Sequence, residues 1–253
     1  AVLMSVNYDN LAPEYINYRV PDSRIAAAIA KHFPRGAAVL NIGAGQGAYE
    51  PVDCDVTSIE PSWEMITRRA ATNAKVIQGC AEQLPFDDDS FDMSMAVLTI
   101  HHWQDFEKGI SEIKRVTRNK AVILTWSPEH PVFWLSDYFP EIDRIDAQLF
   151  PSMSKLTDLL EGNTEVEIIE VPQDCSDGFM CAYWRRPEMY LNAAARQAIS
   201  TFSRLSDVDR GLEQLQNDLA SGMWVHKNAA LLSKNTLDCG YRLVVVNIAS
   251  KTS

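Results

Sequence analysis

The chain has 253 residues, of which 46% are hydrophobic and 23% are charged, a composition that suits one globular α/β domain with an insertion. Its net charge of −11 argues against nucleic-acid and membrane partners, since both attract a basic face, and we interpret the short basic run at 67–69 as a solvated helix surface. An odd number of cysteines without C-x-x-C spacing predicts neither disulfides nor a zinc site. The sequence shows no signal-peptide pattern and no apolar stretch of transmembrane length, and we therefore expect a cytoplasmic location.

Apolar runs and helical repeats alternate in the first half of the chain. Asp22 is placed to cap a helix that ends near Phe33. Short apolar runs then predict strands at 38–42, 56–59, 75–77, 91–99 and 121–126. A helical repeat at 106–116 separates the last two of these strands, and Asn119 is expected to end it in left-handed conformation. This alternation predicts a parallel, doubly wound sheet.

After Trp126 the pattern becomes aromatic and more helical. We predict a helix at 152–161 that Gly162 closes, and a sixth strand at 166–171. A long helical stretch at about 187–234 precedes a last strand at 241–248. We therefore expect a Rossmann-like α/β fold, with a mostly parallel seven-stranded sheet, an antiparallel last strand and a helical cap inserted before it.

We expect residues 1–253 to form a single domain. Its core is predicted to comprise 36–128, 163–172 and 240–250, behind an N-terminal cap at 1–35. The remaining segments, 129–162 and 176–238, are too long for simple connections, and we expect them to form a helical lid over a pocket.

The first strand runs into three closely spaced glycines: Gly43, Gly45 and Gly47. They predict a tight turn with exposed backbone at the carboxyl end of the strand, where open α/β sheets bind ligands. The spacing also fits a dinucleotide fingerprint, so NAD stays a candidate. However, Pro51 leaves room for little more than one helical turn before the next strand. Such a turn is a poor cradle for a diphosphate and suits S-adenosylmethionine, which has no phosphate.

The second strand ends at Glu60, whose carboxylate is placed to accept hydrogen bonds from the two hydroxyls of a ribose. This role fits NAD and S-adenosylmethionine equally. Pro61 and Ser62 then begin a helix in which Met65 is positioned to lie on an adenine face.

Five motifs in order extend this pattern: GAGQG at 43–47, EPSxxM at 60–65, GCAEQLPF at 79–86, SFD at 90–92 and HHWxD at 101–105. Together they resemble class I S-adenosylmethionine-dependent methyltransferases. They are most similar to the type 11 group, which includes the ubiquinone/menaquinone C-methyltransferases and many natural-product methyltransferases. The resemblance covers about 36–126, and Tyr8 with Arg19 resembles the N-terminal cap of such enzymes.

The resemblance implies S-adenosylmethionine as the cofactor and a contact for each matched position. The residues expected at the methionine part of the cofactor are Gly43, Ala44, Gly45, Leu98, Thr99, Tyr8 and Arg19. Of these, Arg19 is expected to pair with the carboxylate of the cofactor. Those at the ribose and adenine are Glu60, Pro61, Ser62, Met65, Cys80, Ala81 and Glu82. Two positions depart from the pattern, because many relatives carry an acidic residue where Asn41 and Cys80 stand.

Methyl transfer from a sulfonium is an in-line displacement, so positioning is the main requirement and a base is needed only to remove a proton. We predict His101 and His102 as base candidates, although either can be structural, and Glu129 as a second candidate. Aromatic residues of the lid are candidates for substrate contacts or for its core, namely Trp134, Tyr138, Tyr183 and Trp184.

We therefore predict a methyltransferase that acts on the oxygen, nitrogen or carbon of a small molecule, as a monomer or homodimer. An NAD-dependent oxidoreductase and a non-catalytic S-adenosylmethionine-binding protein are the alternatives. No metal is expected, since the acidic run at 87–89 is best explained as a solvated turn.

Overall fold

The protein was examined as a computed structural model, which describes residues 18–70, 74–131 and 133–248. These residues contain nine strands: β1 (Ala38–Ile42), β2 (Asp55–Glu60), β3 (Lys75–Gln78), β4 (Phe91–Val97), β5 (Thr117–Trp126), β6 (Asn163–Ile168), β7 (Val171–Pro172), β8 (Thr236–Leu237) and β9 (Tyr241–Asn247). Seven of them form one sheet in the order β3-β2-β1-β4-β5-β9-β6, and β7 pairs with β8. Only β9 runs antiparallel to its neighbours in the large sheet, which confirms the predicted fold class.

The same residues contain eight α-helices: α1 (Ser23–Ala30), α2 (Trp63–Thr67), α3 (Phe106–Val116), α4 (Glu141–Leu149), α5 (Met153–Leu160), α6 (Ala193–Gln197), α7 (Val208–Ser221) and α8 (Met223–Lys227). Polar side chains begin most of them. Asp22 accepts a hydrogen bond from the Arg24 amide at 3.0 Å, and Asp105 accepts one from the Lys108 amide at 3.0 Å. None of the helices in the described ranges has the length and hydropathy to cross a membrane.

The sheet separates two apolar layers. On one face, α3 and α5 pack together, and Ile110, Ile113, Leu156 and Leu160 are buried against the strands. On the other face, Ile25 and Ile29 of α1 are buried with the segment inserted between β7 and β8. The expected lid included α5, but its leucines place this helix against the sheet. The remaining inserted helices lie on the face of α1.

One local prediction was wrong. Asn119 does not cap α3, because Thr117 already continues the chain into β5, where its buried hydroxyl bonds that of Ser94 on β4. The stretch at 187–234 is mainly helical, as predicted, and it is divided into several short elements, including 3-10 turns at Pro187–Leu191 and Ser200–Arg204.

Candidate active site

One large cavity opens at the carboxyl edge of the sheet, with a volume of about 1120 Å³. The ends of β1, β2 and β4 form its floor, and the segments 177–181 and 193–203 form its far wall. This is the edge at which open α/β sheets bind ligands. The volume exceeds the usual range for one drug-sized ligand, so the cavity has room for a cofactor and a second molecule.

The glycine turn is held tightly against β2 and β4. The amides of Gly43 and Ala44 both donate to the Ile59 carbonyl, at 2.9 and 3.0 Å. Gly43 has a φ of +66°, and a Cβ at this position would overlap the Thr99 hydroxyl. Residues 43–50 form turns rather than a helix, as predicted from Pro51. The turn thus presents bare backbone to the cavity, which suits a bulky ligand better than a diphosphate.

Glu60 lies where the sequence placed it, at the end of β2 and only 6% exposed. Its carboxylate accepts hydrogen bonds from the Gly45 amide at 2.8 Å and from the Ser62 amide at 3.0 Å. Two backbone donors on opposite sides therefore fix the carboxylate at the cavity wall. A carboxylate accepts hydrogen bonds at about four lone-pair sites, and at this wall it is placed to meet ribose hydroxyls.

The basic run at 67–69 does not form a solvated surface, because the Arg69 side chain is only 4% exposed. It pairs with Glu50, and its Nη1 donates to the Gly45 carbonyl at 3.2 Å. Asn41, which stands where many relatives carry an acidic residue, donates from Nδ2 to Glu50 at 2.9 Å. The carboxylate beneath the glycine turn is thus that of Glu50, whereas many relatives have an acidic residue in the first strand.

The predicted adenine contacts lie together at one end of the cavity, where Pro61, Ser62, Met65, Cys80, Ala81 and Glu82 line it. Ser62 caps α2 by accepting from the Met65 amide at 3.2 Å, and this fixes the buried Met65 at the wall. Cys80 is exposed at the rim. One Glu82 oxygen, Oε1, accepts from the amides of Gln104 and Asp105, so its position is also fixed.

Leu98, Thr99 and Arg19 line the opposite end. Leu98 has a φ of +51°, a strained turn that ends β4 and directs the chain along the cavity. The Nε of Arg19 donates to the buried Asp177 at 2.6 Å, and the Tyr49 hydroxyl donates to the other oxygen of Asp177 at 2.8 Å. Asp177, which Tyr49 holds in place, thus fixes the orientation of the Arg19 side chain. Tyr8, the other predicted cap residue, lies outside the described residues.

His101 and His102 both line the cavity, on the 3-10 turn Ile100–His102 that follows β4. The His101 ring stacks on Phe150, with centroids 4.2 Å apart and an angle of 26° between planes. Burial holds the pKa of His101 well below its usual range and lowers that of His102 to about 3. Both rings are therefore neutral at neutral pH, and they are weaker bases than their position after β4 suggested.

The wall beyond the histidines is apolar and aromatic, and includes Trp126, Phe150, Phe179, Met180, Phe202 and Tyr241. An acidic residue also lines this region: Asp146 of α4, which is 4% exposed. The sequence analysis missed it. The available signal was an acidic residue on the apolar stripe that Ile142, Ile145 and Leu149 form.

Five predicted site residues lie away from the cavity. Glu129 accepts from the Ser127 hydroxyl at 2.7 Å and from the Met153 amide at 3.1 Å, so it caps the start of α5. The four aromatic candidates form the buried core of the insertion: Trp134, Tyr138, Tyr183 and Trp184. For example, the Trp134 ring donates to the Trp184 carbonyl at 2.8 Å. Packing, not substrate contact, explains their positions.

Three features at the sheet edge fit S-adenosylmethionine. The glycine turn lines the cavity through Gly43, Ala44 and Gly45, and the Glu60 carboxylate is fixed at the wall. In addition, Gln46 lines the cavity, and its Nε2 is buried without a hydrogen-bond partner among the described residues. A buried donor without a partner costs about 1–3 kcal/mol, which a bound polar ligand would offset.

Comparisons with known proteins agree with this geometry. A family profile described as "Methyltransferase domain" matches residues 40–125. The chain also resembles the crystal structure of a proposed methyltransferase from an antibiotic biosynthesis pathway of Anabaena variabilis. The two are 34% identical with a TM-score of 0.85, over 91% of this chain and 99% of that one.

Two curated relatives match part of the chain. A 2-methyl-6-phytyl-1,4-hydroquinone methyltransferase 1 of the chloroplast from Oryza sativa is 31% identical over 55% of this chain and 45% of its own length. The uncharacterized methyltransferase YcgJ of Bacillus subtilis is 31% identical over 42% of this chain and 47% of its own length. The chain thus spans less than half of either relative. None of these similarities supports the NAD-dependent alternative.

Proposed function

Because the chain belongs to the class I S-adenosylmethionine-dependent methyltransferases, we propose that it transfers the methyl group to a small, mainly apolar, ring-containing acceptor. The observation that carries this proposal is the continuity of the cavity. It extends from the Glu60 carboxylate at one end to the aromatic wall around Phe150 at the other. A cofactor and an acceptor would therefore share one cavity, as direct transfer requires.

In this proposal, the chain holds the cofactor through backbone and fixed side chains. Glu60 would hold the ribose, Met65 and Ala81 would contact the adenine, and Arg19 would face the carboxylate of the methionine part. S-adenosylmethionine supplies an electrophilic methyl carbon and leaves as a neutral thioether, so no acid is needed at the leaving group. The task of these residues is alignment, which supplies an effective molarity on the order of 10⁵ M or more.

The acceptor class follows from the far wall. It includes Phe179, Met180, Cys181 and Phe202 beside polar residues of 196–203, and its aromatic and sulfur-containing surfaces favour planar molecules. The rice relative is named for a hydroquinone and the Anabaena protein for antibiotic biosynthesis, so ring-bearing metabolites of natural-product pathways are the first candidates. We place the reaction in the cytoplasm, since all five cysteines are free thiols, as a reducing compartment maintains them.

The test is an untargeted transfer assay. Protein and S-adenosylmethionine with a deuterated methyl group are incubated with a metabolite extract, and products are sought by mass spectrometry. The proposal predicts a labelled product of low molecular mass whose yield falls when Glu60 is replaced by glutamine. Labelling of protein or RNA alone, with no labelled small molecule, would overturn it.

A further inference from the structure

The buried carboxyl group of Asp146 is a polar feature of the cavity that the proposed function has not used. One of its oxygens accepts a hydrogen bond from the Thr201 hydroxyl at 2.9 Å. Within the described parts of the chain, this hydroxyl is the hydrogen-bond partner of the carboxyl group. The residue lines the cavity although it is only 4% exposed.

Asp146 adjoins the aromatic wall. Phe150 lies one helical turn further along, its amide bonded to the Asp146 carbonyl at 3.0 Å. The Phe150 ring stacks on His101 and meets the Trp126 ring edge-on, with centroids 5.4 Å apart. An aromatic acceptor that packs on these rings would therefore bring a ring substituent to the carboxyl group.

The charges near Asp146 restrict which functional group of an acceptor can bind to it. The ionisable side chains that interact with it electrostatically come from four elements: Asp143 on α4, Arg204 on the 3-10 turn, Cys181 in the loop and Tyr241 on β9. A carboxylate acceptor would be repelled by Asp146 itself. A protonated amine would carry a second positive charge close to the sulfonium and Arg204, and it has no lone pair for attack.

We propose that Asp146 binds the hydroxyl group of a phenol-type acceptor and takes its proton during transfer, with Thr201 orienting the carboxylate. This inference rests on the proposed function and specifies its substrate class. The acceptor oxygen forms a bond to the methyl carbon while the carbon–sulfur bond breaks and its electron pair stays on sulfur. The hydroxyl proton passes to the carboxylate and is later released to water.

Electrostatics supports this assignment. Burial raises the pKa of Asp146 to about 7, despite the opposing hydrogen bond from Thr201. A base with a pKa near the working pH removes protons most effectively. The neighbouring histidines are less suitable, because burial moves their pKa values in the opposite direction. The carboxyl group is thus better matched to proton removal than either predicted base.

The experiment compares two probes that differ by one methyl group, 4-propylphenol and its methyl ether. Each is titrated by calorimetry at about pH 8 into protein saturated with S-adenosylhomocysteine. The phenol can donate to the Asp146 carboxylate and the ether cannot. We expect wild type to bind the phenol at least about 10-fold more tightly, because a hydrogen bond to a charged group contributes at least this much. The Asp146→Asn variant should reduce the ratio to near 1.

Asp158→Asn is the matched control, since this acidic residue is exposed on α5 and does not line the cavity. It should keep the wild-type ratio. Thr201→Val offers a second route if Asp146→Asn does not fold, and it should lower the ratio because the carboxylate loses its orienting donor. Wild type that binds both probes equally, or neither, overturns the role of Asp146. Failure of wild type to bind S-adenosylhomocysteine would instead overturn the proposed function.

Discussion

Arg69 and Glu50 form an ion pair directly beneath the glycine turn, with Nη2 of the arginine 2.7 and 2.8 Å from the two carboxylate oxygens. Glu50 also accepts from the Ser58 hydroxyl at 2.6 Å and from Asn41 at 2.9 Å. Since Arg69 in turn donates to the Gly45 carbonyl, the network connects β1, β2 and α2 to the turn that faces the cofactor end. The shape of this turn depends on side chains behind it.

We predict that Arg69→Met destabilises the protein by about 3–5 kcal/mol, because it leaves the buried Glu50 carboxylate without its counter-charge. Urea unfolding followed by circular dichroism measures this loss. Lys155→Met is the control, because Lys155 and its partner Glu107 are 50% and 63% exposed and such a pair contributes at most about 1 kcal/mol. Equal losses in the two variants would contradict a supporting role for the network.

Glu60→Gln should weaken binding of S-adenosylhomocysteine by about 1.5–3 kcal/mol, the usual value of a hydrogen bond to a charged group. The amide keeps the size of the side chain but offers one acceptor oxygen in place of two. Glu64→Gln, on the helix that follows, alters a carboxylate that does not line the cavity and should leave affinity unchanged. An unaltered dissociation constant for Glu60→Gln would remove this residue from the cofactor site.

His102→Gln should make the protein more resistant to acid. Burial lowers the pKa of His102 from 6.5 to about 3, so protonation is opposed in the folded state and stability is lost as pH falls below 6.5. Between pH 7 and about pH 4.5, wild type should lose about 2 kcal/mol more than the variant. Unfolding curves at both pH values test this, with the exposed His226→Gln as control. Parallel losses in all three proteins would show that His102 is accessible to protons.

Asp146→Asn should have the opposite pH dependence. Because the folded-state pKa is raised from 3.8 to about 7, the contribution of Asp146 is fully favourable below pH 3.8 and is lost as pH rises towards 7. Relative to wild type, the variant should gain about 2–3 kcal/mol in stability between about pH 4.5 and pH 8. Asp158→Asn, an exposed substitution on α5, should show no such change. A constant difference between wild type and Asp146→Asn would contradict the raised pKa.

The sequence predicted the elements whose signal is local. The strands stop at recognisable residues such as Gly43 and Glu60, and the structure places every described cofactor candidate along the cavity. Prediction from the sequence failed where the role of a residue depends on which buried surface its helix or strand packs against. Trp134 and Asp146 both lie in the insertion, but Trp134 is a core residue and Asp146 lines the cavity. This difference depends on how α4 packs against the 3-10 turn at 200–204.

Arg69 illustrates the same limit in a charged residue. Its position after Arg68 suggested a solvated surface, because nothing in the local pattern identifies Glu50 as a buried partner nineteen positions earlier. Ion pairs between segments that are distant in sequence form only when the sheet brings the segments together. Composition and periodicity contain no information about such pairs.

The most direct test of the account is a calorimetric titration of the wild-type chain with S-adenosylhomocysteine and, separately, with NADH. A turn of bare backbone without a following helix, beside a fixed Glu60 carboxylate, predicts saturable binding of S-adenosylhomocysteine with a dissociation constant on the order of micromolar. NADH should give no heat beyond dilution. Saturable binding of NADH without binding of S-adenosylhomocysteine would contradict the assignment of this cavity to methyl transfer.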